Sequence, residues 1–479
     1  MSNPNSNSKT KYLIIGSSAA GLTAALELRK LDPSAQITSL TSESEQPYNK
    51  CFLVDYLAGE QDLAAVYLYT PEFLAQQKIE ILYNSLVIEI RPEAQQVQLV
   101  SGELLSYDKL LIATGARAWV PQISGLDKLL AQDLALNFYS LQDTLKLQVK
   151  LDSNNIKHVT VIGAGLTGLE CADALWRRGL KVTIIDQNSQ ILNRVLDLES
   201  AQFLQQKIMN SGIKLILGTQ VLAVKQANNE QEADFSDMTF SKFPCEPTNP
   251  LTPMQARRSF LVKPGASVEG GILRIQALHS PAEIYTDLII LATGVQANSI
   301  KIIGTQLSLV NQQVQVDQFF ATNLANIWAA GDAILVRDLG TGEFRPNRTW
   351  PDAILQGRLA ARSMFAAGVS ASELNVSEQP VTATINLVPY IGQVAYYKSH
   401  MFNLDLIVCG NLNNLNNSHD LQNIKQNNTI DQAGISQAEN CADQASWASY
   451  NYNLTAQLQG FILIGDISQG AKLRRQITT

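Results

Sequence analysis

Short apolar runs ending in glycine-rich turns occur at two places in this chain and set its organisation. Tyr12-Leu13-Ile14-Ile15 stops at Gly16, and a small-residue helix is under way by Gly21. A brief continuous apolar run bounded by turn residues predicts a strand buried on both faces, as in a parallel sheet. Strand and helix patterns then alternate to about Ile90, with Gln36 to Leu40 as the second strand. Val97 to Leu99 and Lys109 to Ile112 read as further strands, the latter running into Ala113-Thr114-Gly115. Pro121 and Gly125 break the pattern and mark a crossing into another unit. From His158 the order repeats: strand, glycine turn, helix through Trp176, then the strand Lys181 to Ile185 capped by Asp186. This unit also closes on a strand, Asp287 to Leu291, followed by Ala292-Thr293-Gly294. Val381 to Ile477 reads as a β-containing C-terminal region. Polar stretches from Ala227 to about Pro264 and from Asn411 to Asn428 read as exposed loops inserted between strands.

The predicted fold class is therefore α/β, with two Rossmann-like dinucleotide-binding domains and an α+β C-terminal domain. A tight turn between a buried strand and a helix aims backbone N–H groups at an anion, and a pyrophosphate fits that description. Gly16, Ser17, Ser18, Ala19, Ala20 and Gly21 form the first turn, a G-x-S-x-x-G with Ser18 where backbone usually approaches phosphate most closely. Glu43, just past the second strand, is placed to accept hydrogen bonds from a ribose. Gly163, Gly165 and Gly168 form a full G-x-G-x-x-G. Asp186 follows Gly163 by roughly 20 residues, the spacing of a carboxylate on an adenosine ribose. That carboxylate would repel a 2′-phosphate, which favours NADH without excluding NADPH. Two such sites imply two redox cofactors.

Composition narrows the picture further. The chain has 479 residues, is 46% apolar and carries a net charge of -7. That length accommodates two to four domains with sizeable cores. The acidic balance, with no basic stripe interleaved with aromatics, argues against a nucleic-acid partner. No segment approaches a membrane span, and the tail MSNPNSNSKTK lacks an apolar core for export, so the expected location is the cytoplasm. Cys51, Cys171, Cys245, Cys409 and Cys441 are widely spaced without a C-x-x-C. The four histidines show no metal-ligand spacing, and no protein-bound metal is expected.

Two further stretches complete a recognisable set: Asn326 to Asp332, NIWAAGD, and Trp350 to Gly357, WPDAILQG. With the glycine turns and paired A-T-G ends, they resemble the FAD-dependent pyridine nucleotide oxidoreductases. Within that group the chain is similar to rubredoxin and ferredoxin reductases and the flavin part of nitrite reductase. It also shares features of single-cysteine NADH oxidases and coenzyme A disulfide reductases. The resemblance implies a discontinuous FAD domain over residues 11–119 and 301–375; residues 1–10, outside it, read from their polar composition as a disordered tail. The resemblance also implies an NAD(P)H domain over 120–300 and an interface domain over 376–479, a region that often forms a homodimer.

The same resemblance implies roles for individual residues. The FAD pyrophosphate would lie on Gly16 to Gly21, its ribose on Glu43, its adenine on the backbone of Val87 and its phosphates near Lys50. Ala113, Thr114 and Gly115 would pass beneath it, and Asp332, after Gly331, would bond the ribitol chain. NADH would lie on Gly163, Gly165, Gly168 and Asp186, near Gly294. Glu170 and Trp350 resemble residues beside the nicotinamide and flavin rings.

The stretch YNKCFLVDYLAG, Tyr48 to Gly59, aligns in two ways. In one, Tyr48, Lys50 and Leu53 match reductases of small iron proteins, and Cys51 is incidental. In the other, Cys51, Leu53, Tyr56 and Gly59 match single-cysteine enzymes, and Cys51 is the catalytic nucleophile, a thiolate favoured by a nearby lysine and helix N-terminus. Ala19 stands where the single-cysteine oxidases carry histidine, and Asp55 stands where the first type carries a flavin-side lysine. The implied activity is NADH to FAD to a small redox protein or linked reductase. The alternatives are a Cys51-dependent reductase of low-molecular-weight disulfides or persulfides, and an NADH-sensing flavoprotein without a dedicated acceptor. Lys472, Arg474 and Arg475 form a basic group that an acidic electron carrier could meet.

Overall fold

The computed structural model describes residues 9–153, 155–226, 273–277, 284–337, 342–346, 349–367, 387–392, 394, 396–410, 446–452 and 458–478. The polar tracts 227–264 and 411–428 lie outside the described residues, as does nearly all of the N-terminal tail. Two five-stranded sheets carry the architecture, and every pairing in both is parallel. The first runs Ile327–Ala329, Lys109–Ile112, Lys11–Ile15, Gln36–Leu40, Ile79–Leu82. The second runs Lys214–Ile216, Lys181–Ile185, His158–Ile162, Leu288–Leu291, Ala135–Asn137. In each, the strand before the glycine turn is central and strand order reverses around it. A crevice for a ligand opens at the carboxyl ends of strands arranged in this way.

Burial explains why these runs are strands. Leu110, Leu111, Val159, Val161, Ile289 and Ile290 are fully enclosed, as required where helices cover both faces of a parallel sheet. Helix Ala19–Leu31 lies against helix Trp350–Ala366 at backbone distance, because a Cβ on Gly357 would stand 2.1 Å from the Ala20 carbonyl oxygen. The WPDAILQG stretch thus closes on the first glycine turn although it lies far along the chain.

The two folds are joined by a pair of crossings. Ala116–Ala118 and Val295–Ala297, each following an A-T-G end, pair antiparallel as a two-stranded ribbon. A four-stranded antiparallel sheet forms the C-terminal part, in the order Tyr396–Met401, Leu404–Gly410, Leu458–Ile464, Trp447–Tyr452. Strand alternation gives it two apolar faces. Leu406, Val408, Ile462 and Ile464 join the core formed with helices Leu166–Arg177 and Leu198–Asn210, whereas Ile407, Phe461 and Leu463 lie with Leu473 of the terminal helix Gly470–Thr478. Among the described residues, no helix is long and apolar enough to cross a membrane.

Candidate active site

The two glycine turns are built alike. Gly16 has φ +113°, and a Cβ there would stand 2.0 Å from the Ala113 carbonyl oxygen. Gly163 has φ +116°, and its Cβ would stand 2.3 Å from the Ala292 carbonyl oxygen. Each turn therefore rests on the alanine of its own A-T-G end, and the two motifs are one physical unit in each fold. Gly165 differs: a Cβ there meets nothing within 4 Å, so its backbone faces open space where an anion can approach. Ser18 takes the corresponding place in the first fold, exposed at the N-cap of its helix and making no side-chain capping bond.

A cleft of ≈ 830 Å³ starts at the first turn. Gly16 to Ala20, Glu43, Lys50, Cys51, Val87, Ala113 to Gly115, Gly331, Asp332 and Trp350 line it, joined by Thr167 and Glu170 from the second fold. Gly21 lies behind this wall against Gly16. Gly163, Gly165, Gly168, Asp186 and Gly294 are not part of that lining. They cluster at the second turn, where the Asp186 carboxylate accepts the Ala164 N–H at 2.6 Å and the Asn188 N–H at 2.7 Å. The second turn and the first cleft thus meet along one helix, Leu166–Arg177, whose start carries Thr167 and Glu170.

These residues fit an FAD. The first-turn N–H groups of helix Ala19–Leu31 have no partners within the helix, as at any helix start, and Ala19 and Ala20 of that turn line the cleft. Val87 begins the strand Val87–Arg91, where a register shift before Glu89 interrupts regular pairing. Gly331, at φ +77°, aims Asp332 toward the cleft, and its N–H is held at 2.8 Å by the side-chain oxygen of Gln356. Trp350 sits half-buried in the first turn of its helix, capped by Thr349.

Several residues that secure this arrangement had no signal of their own in the sequence. Asn298 donates to the Thr114 carbonyl at 2.9 Å, and its own carbonyl accepts from the Thr114 hydroxyl at 3.2 Å, fixing the first A-T-G end to the crossing ribbon. The buried Tyr48 hydroxyl accepts the Leu141 N–H at 3.0 Å and donates to Glu43 at 3.4 Å. Burial and the Glu43 carboxylate push that phenol far above its usual range. Lys50 borders the cleft with its ammonium 3.7 Å from the centre of the Tyr139 ring, a cation–π contact from one fold to the other.

The surroundings of Cys51 bear on its two alignments. This cysteine lies on the short turn Lys50–Phe52, where its N–H is capped by the Asn49 side chain at 3.0 Å. Cys51 is exposed on the cleft wall, yet desolvation by its surroundings, then the carboxyl groups of Glu170 and Asp55, push the thiol up to about 11, which disfavours the thiolate. Lys50 does not reverse this, its charge being turned to Tyr139. Cys171 is fully buried with its thiol pushed well above the ordinary range, and Cys409 is buried in the C-terminal sheet.

Glu170 is the second perturbed group. Burial raises its carboxyl to about 7, the Ser399 hydroxyl donating at 2.6 Å lowers it, and Asp55 and Asp173 raise it further. The sign of the resulting pH dependence is definite. Between the unfolded value near 4.5 and the folded value near 7 the native state holds a proton that the unfolded chain has lost, so stability falls as pH rises through that window. Relative to Glu170→Gln, the wild type should lose up to about 3 kcal/mol between those limits, at 1.36 kcal/mol per unit. Urea unfolding at pH 4.5 and 7.5 checks this, and parallel curves for the two proteins would refute it.

Two dinucleotide folds facing one cleft, with a carboxyl and a tryptophan at their junction, define an FAD-dependent NAD(P)H oxidoreductase. The sequence profile of the family "Pyridine nucleotide-disulphide oxidoreductase" matches residues 10–246 and 262–357, and the chain belongs to that family. An NADH oxidase of Methanocaldococcus jannaschii is 27% identical over 368 residues, 75% of this chain and 71% of that protein. A rubredoxin-NAD(+) reductase of Acinetobacter baylyi is 32% identical over 224 residues, 46% of this chain and 56% of the relative. Among solved structures, the covalent putidaredoxin reductase-putidaredoxin complex superposes with a TM-score of 0.73 at 19% identity, covering 98% of this chain and 94% of that one. At that identity the likeness speaks for the fold.

Proposed function

We propose that this protein takes hydride from NADH and passes electrons to a small redox protein, without using Cys51 as a nucleophile. When bound, FAD supplies the ability to accept a hydride and release its electrons one at a time. The protein's part is positional. The first turn and Glu43 bind the adenosine end, Asp332 and Gly331 hold the middle, and Trp350, Thr167 and Glu170 shape the end where a nicotinamide arrives from the second turn. Asp186 recognises the ribose of NADH, and Gly294 and the Asn298-braced crossing keep the two folds in register.

The observation that carries this reading is the environment of Cys51. A thiol on the cleft wall that the nearby acids Glu170 and Asp55 push up, with its neighbouring lysine set over Tyr139, is poorly suited to attack a disulfide or persulfide. The relative named as a rubredoxin reductase supports a small iron protein as acceptor. The same reading assigns the enzyme to the cytoplasm and allows pairing into a homodimer through the C-terminal sheet.

Anaerobic titration with NADH tests it in wild type and Cys51→Ser. Both should consume two electrons per flavin and give the same reduced spectrum, and both should reduce an added rubredoxin- or ferredoxin-type protein. Uptake of additional equivalents by wild type, or a long-wavelength thiolate-to-flavin band absent from the variant, would instead establish the disulfide or persulfide reductase. Slow reduction of every acceptor, coupled to a change in oligomeric state, would favour the sensor.

A further inference from the structure

The hydroxyl of Tyr48 stands between the two folds. The residue belongs to the first fold, yet it is 5% exposed and shares the core that holds Leu136, Phe138, Leu141 and Leu147 of the second. Its oxygen accepts the Leu141 N–H at 3.0 Å, a donor that the start of helix Leu141–Asp152 leaves without an internal partner. Ser140 caps that helix at Asp143, so Tyr48 satisfies a second of its orphan donors. With its oxygen engaged as an acceptor, the phenol still has a proton to place. The Glu43 carboxylate, 3.4 Å away, is the group that takes it. A buried hydroxyl whose proton finds no acceptor is costly. Glu43 is otherwise anchored through its backbone, where its N–H donates to the Thr41 hydroxyl at 3.2 Å and its carbonyl accepts the Asn84 N–H at 3.1 Å. Among the described residues Tyr48 is the partner of this carboxylate, at Oε1, and Oε2 is left to a ligand in the cleft that Glu43 lines.

We propose that Tyr48 is a positioning residue for FAD: it holds the Glu43 carboxylate in the orientation that receives the hydroxyls of the adenosine ribose, and through Leu141 it ties that contact to the second fold. This rests on the assignment of the ribose to Glu43. A free glutamate side chain samples several rotamers, and ordering it at the moment of binding costs affinity. The phenol, carried on a ring packed in the core, settles that orientation beforehand. The same hydrogen bonds couple two events. Ribose hydroxyls hold the carboxylate, the carboxylate holds the phenol, and the phenol holds the start of helix Leu141–Asp152. Lys50, two residues on, meets the same segment of the second fold, its ammonium lying over Tyr139. Retention of FAD therefore depends on where the second fold stands as well as on the first glycine turn.

The rate at which flavin leaves the full-length holoenzyme, followed by the rise in flavin fluorescence on dilution, tests this with two ligands. One is FAD, and the other is an analogue whose adenosine ribose lacks both hydroxyls. FAD should leave Tyr48→Phe about tenfold faster than wild type, the size of one weakened hydrogen bond to a charged group. The analogue, which offers Glu43 nothing to hold, should leave wild type and Tyr48→Phe at the same rate. A tyrosine that acted by packing alone would speed the release of both ligands alike when replaced, and that result overturns the proposal. Glu43→Gln separates the proposal from the assignment beneath it. If that variant releases FAD faster and Tyr48→Phe does not, Glu43 binds the ribose without help from Tyr48, and the proposal fails alone. If neither the variants nor the analogue changes the release rate, the ribose lies elsewhere and both fail. Should Tyr48→Phe not fold, hydrogen exchange in wild type still decides. The segment that begins helix Leu141–Asp152 should exchange several-fold more slowly with FAD bound than with the analogue bound, and equal exchange refutes the coupling.

Discussion

Gly16→Ala should yield protein that retains no FAD and melts far below wild type, if it accumulates folded at all. The added methyl would stand 2.0 Å from the Ala113 carbonyl oxygen, and the backbone at φ +113° is one that a residue with a Cβ rarely adopts. Neither problem relaxes cheaply. Ala113 is itself fixed, since its N–H is bonded to the Ile15 carbonyl at 2.9 Å, and moving it would pull strand Lys109–Ile112 out of the sheet. A loss above about 4 kcal/mol is expected, a size that point substitutions reach only through this kind of backbone conflict or a comparably severe defect.

Gly165→Ala supplies the contrast. Its Cβ meets nothing within 4 Å and its φ is ordinary for any residue, so the melting temperature should stay within a degree or two of wild type. The methyl would instead occupy the space through which a pyrophosphate approaches the backbone, and the KM for NADH should rise by an order of magnitude or more. Thermal melts with NADH titrations separate the two glycines. If Gly165→Ala were as unstable as Gly16→Ala, the second turn would not be the open anion site argued for it.

That contrast also shows what the chain revealed before its structure was known. Strands Gln36–Leu40, Lys109–Ile112 and Lys181–Ile185 fall on the predicted residues, because runs buried on both faces carry a strong and local signal. The pairing of glycine turns with A-T-G ends was visible as repetition, although its cause, a glycine seated on an alanine carbonyl, was not. Ala135–Asn137 escaped notice as the edge strand of the second sheet. It has three residues, no periodicity to measure, and precedes the glycine turn of its own fold.

Contacts between folds were likewise invisible. Tyr48 reaching Leu141, Asn298 bracing Thr114, and Ser399 meeting Glu170 each join segments distant in sequence, and no local pattern specifies such a partner. The same holds for the setting of Cys51: that Lys50 lies over Tyr139 of the other fold, and that Glu170 of that fold acts on the thiol, has no trace in the local sequence.

Asp173→Ala should destabilise the protein by about 3 kcal/mol, whereas Asp173→Asn should lie within about 1 kcal/mol of wild type. Asp173 is 1% exposed, on the helix that carries Glu170. One carboxylate oxygen accepts the Phe402 N–H at 2.8 Å, tying the turn after strand Tyr396–Met401 to that helix, and the other lies 2.9 Å from Arg177. Removing the side chain leaves a buried N–H without its acceptor and breaks one arm of the Glu60–Arg177–Asp173 chain. Asparagine keeps an oxygen for Phe402 while discarding a charge whose burial is costly: burial raises the carboxyl above its ordinary value despite Phe402, Arg177 and His400 acting in the opposite direction. An ion pair that cannot bring its acid back to normal contributes little net stability, so the amide should be tolerated. Urea unfolding of the two variants decides between these contributions. Equal losses would mean that the charge itself holds the C-terminal sheet in place. A loss confined to alanine would mean that the hydrogen bond to Phe402 does, and because Ser399 lies on the same strand, the alanine variant should then also shift the pH at which Glu170 releases its proton.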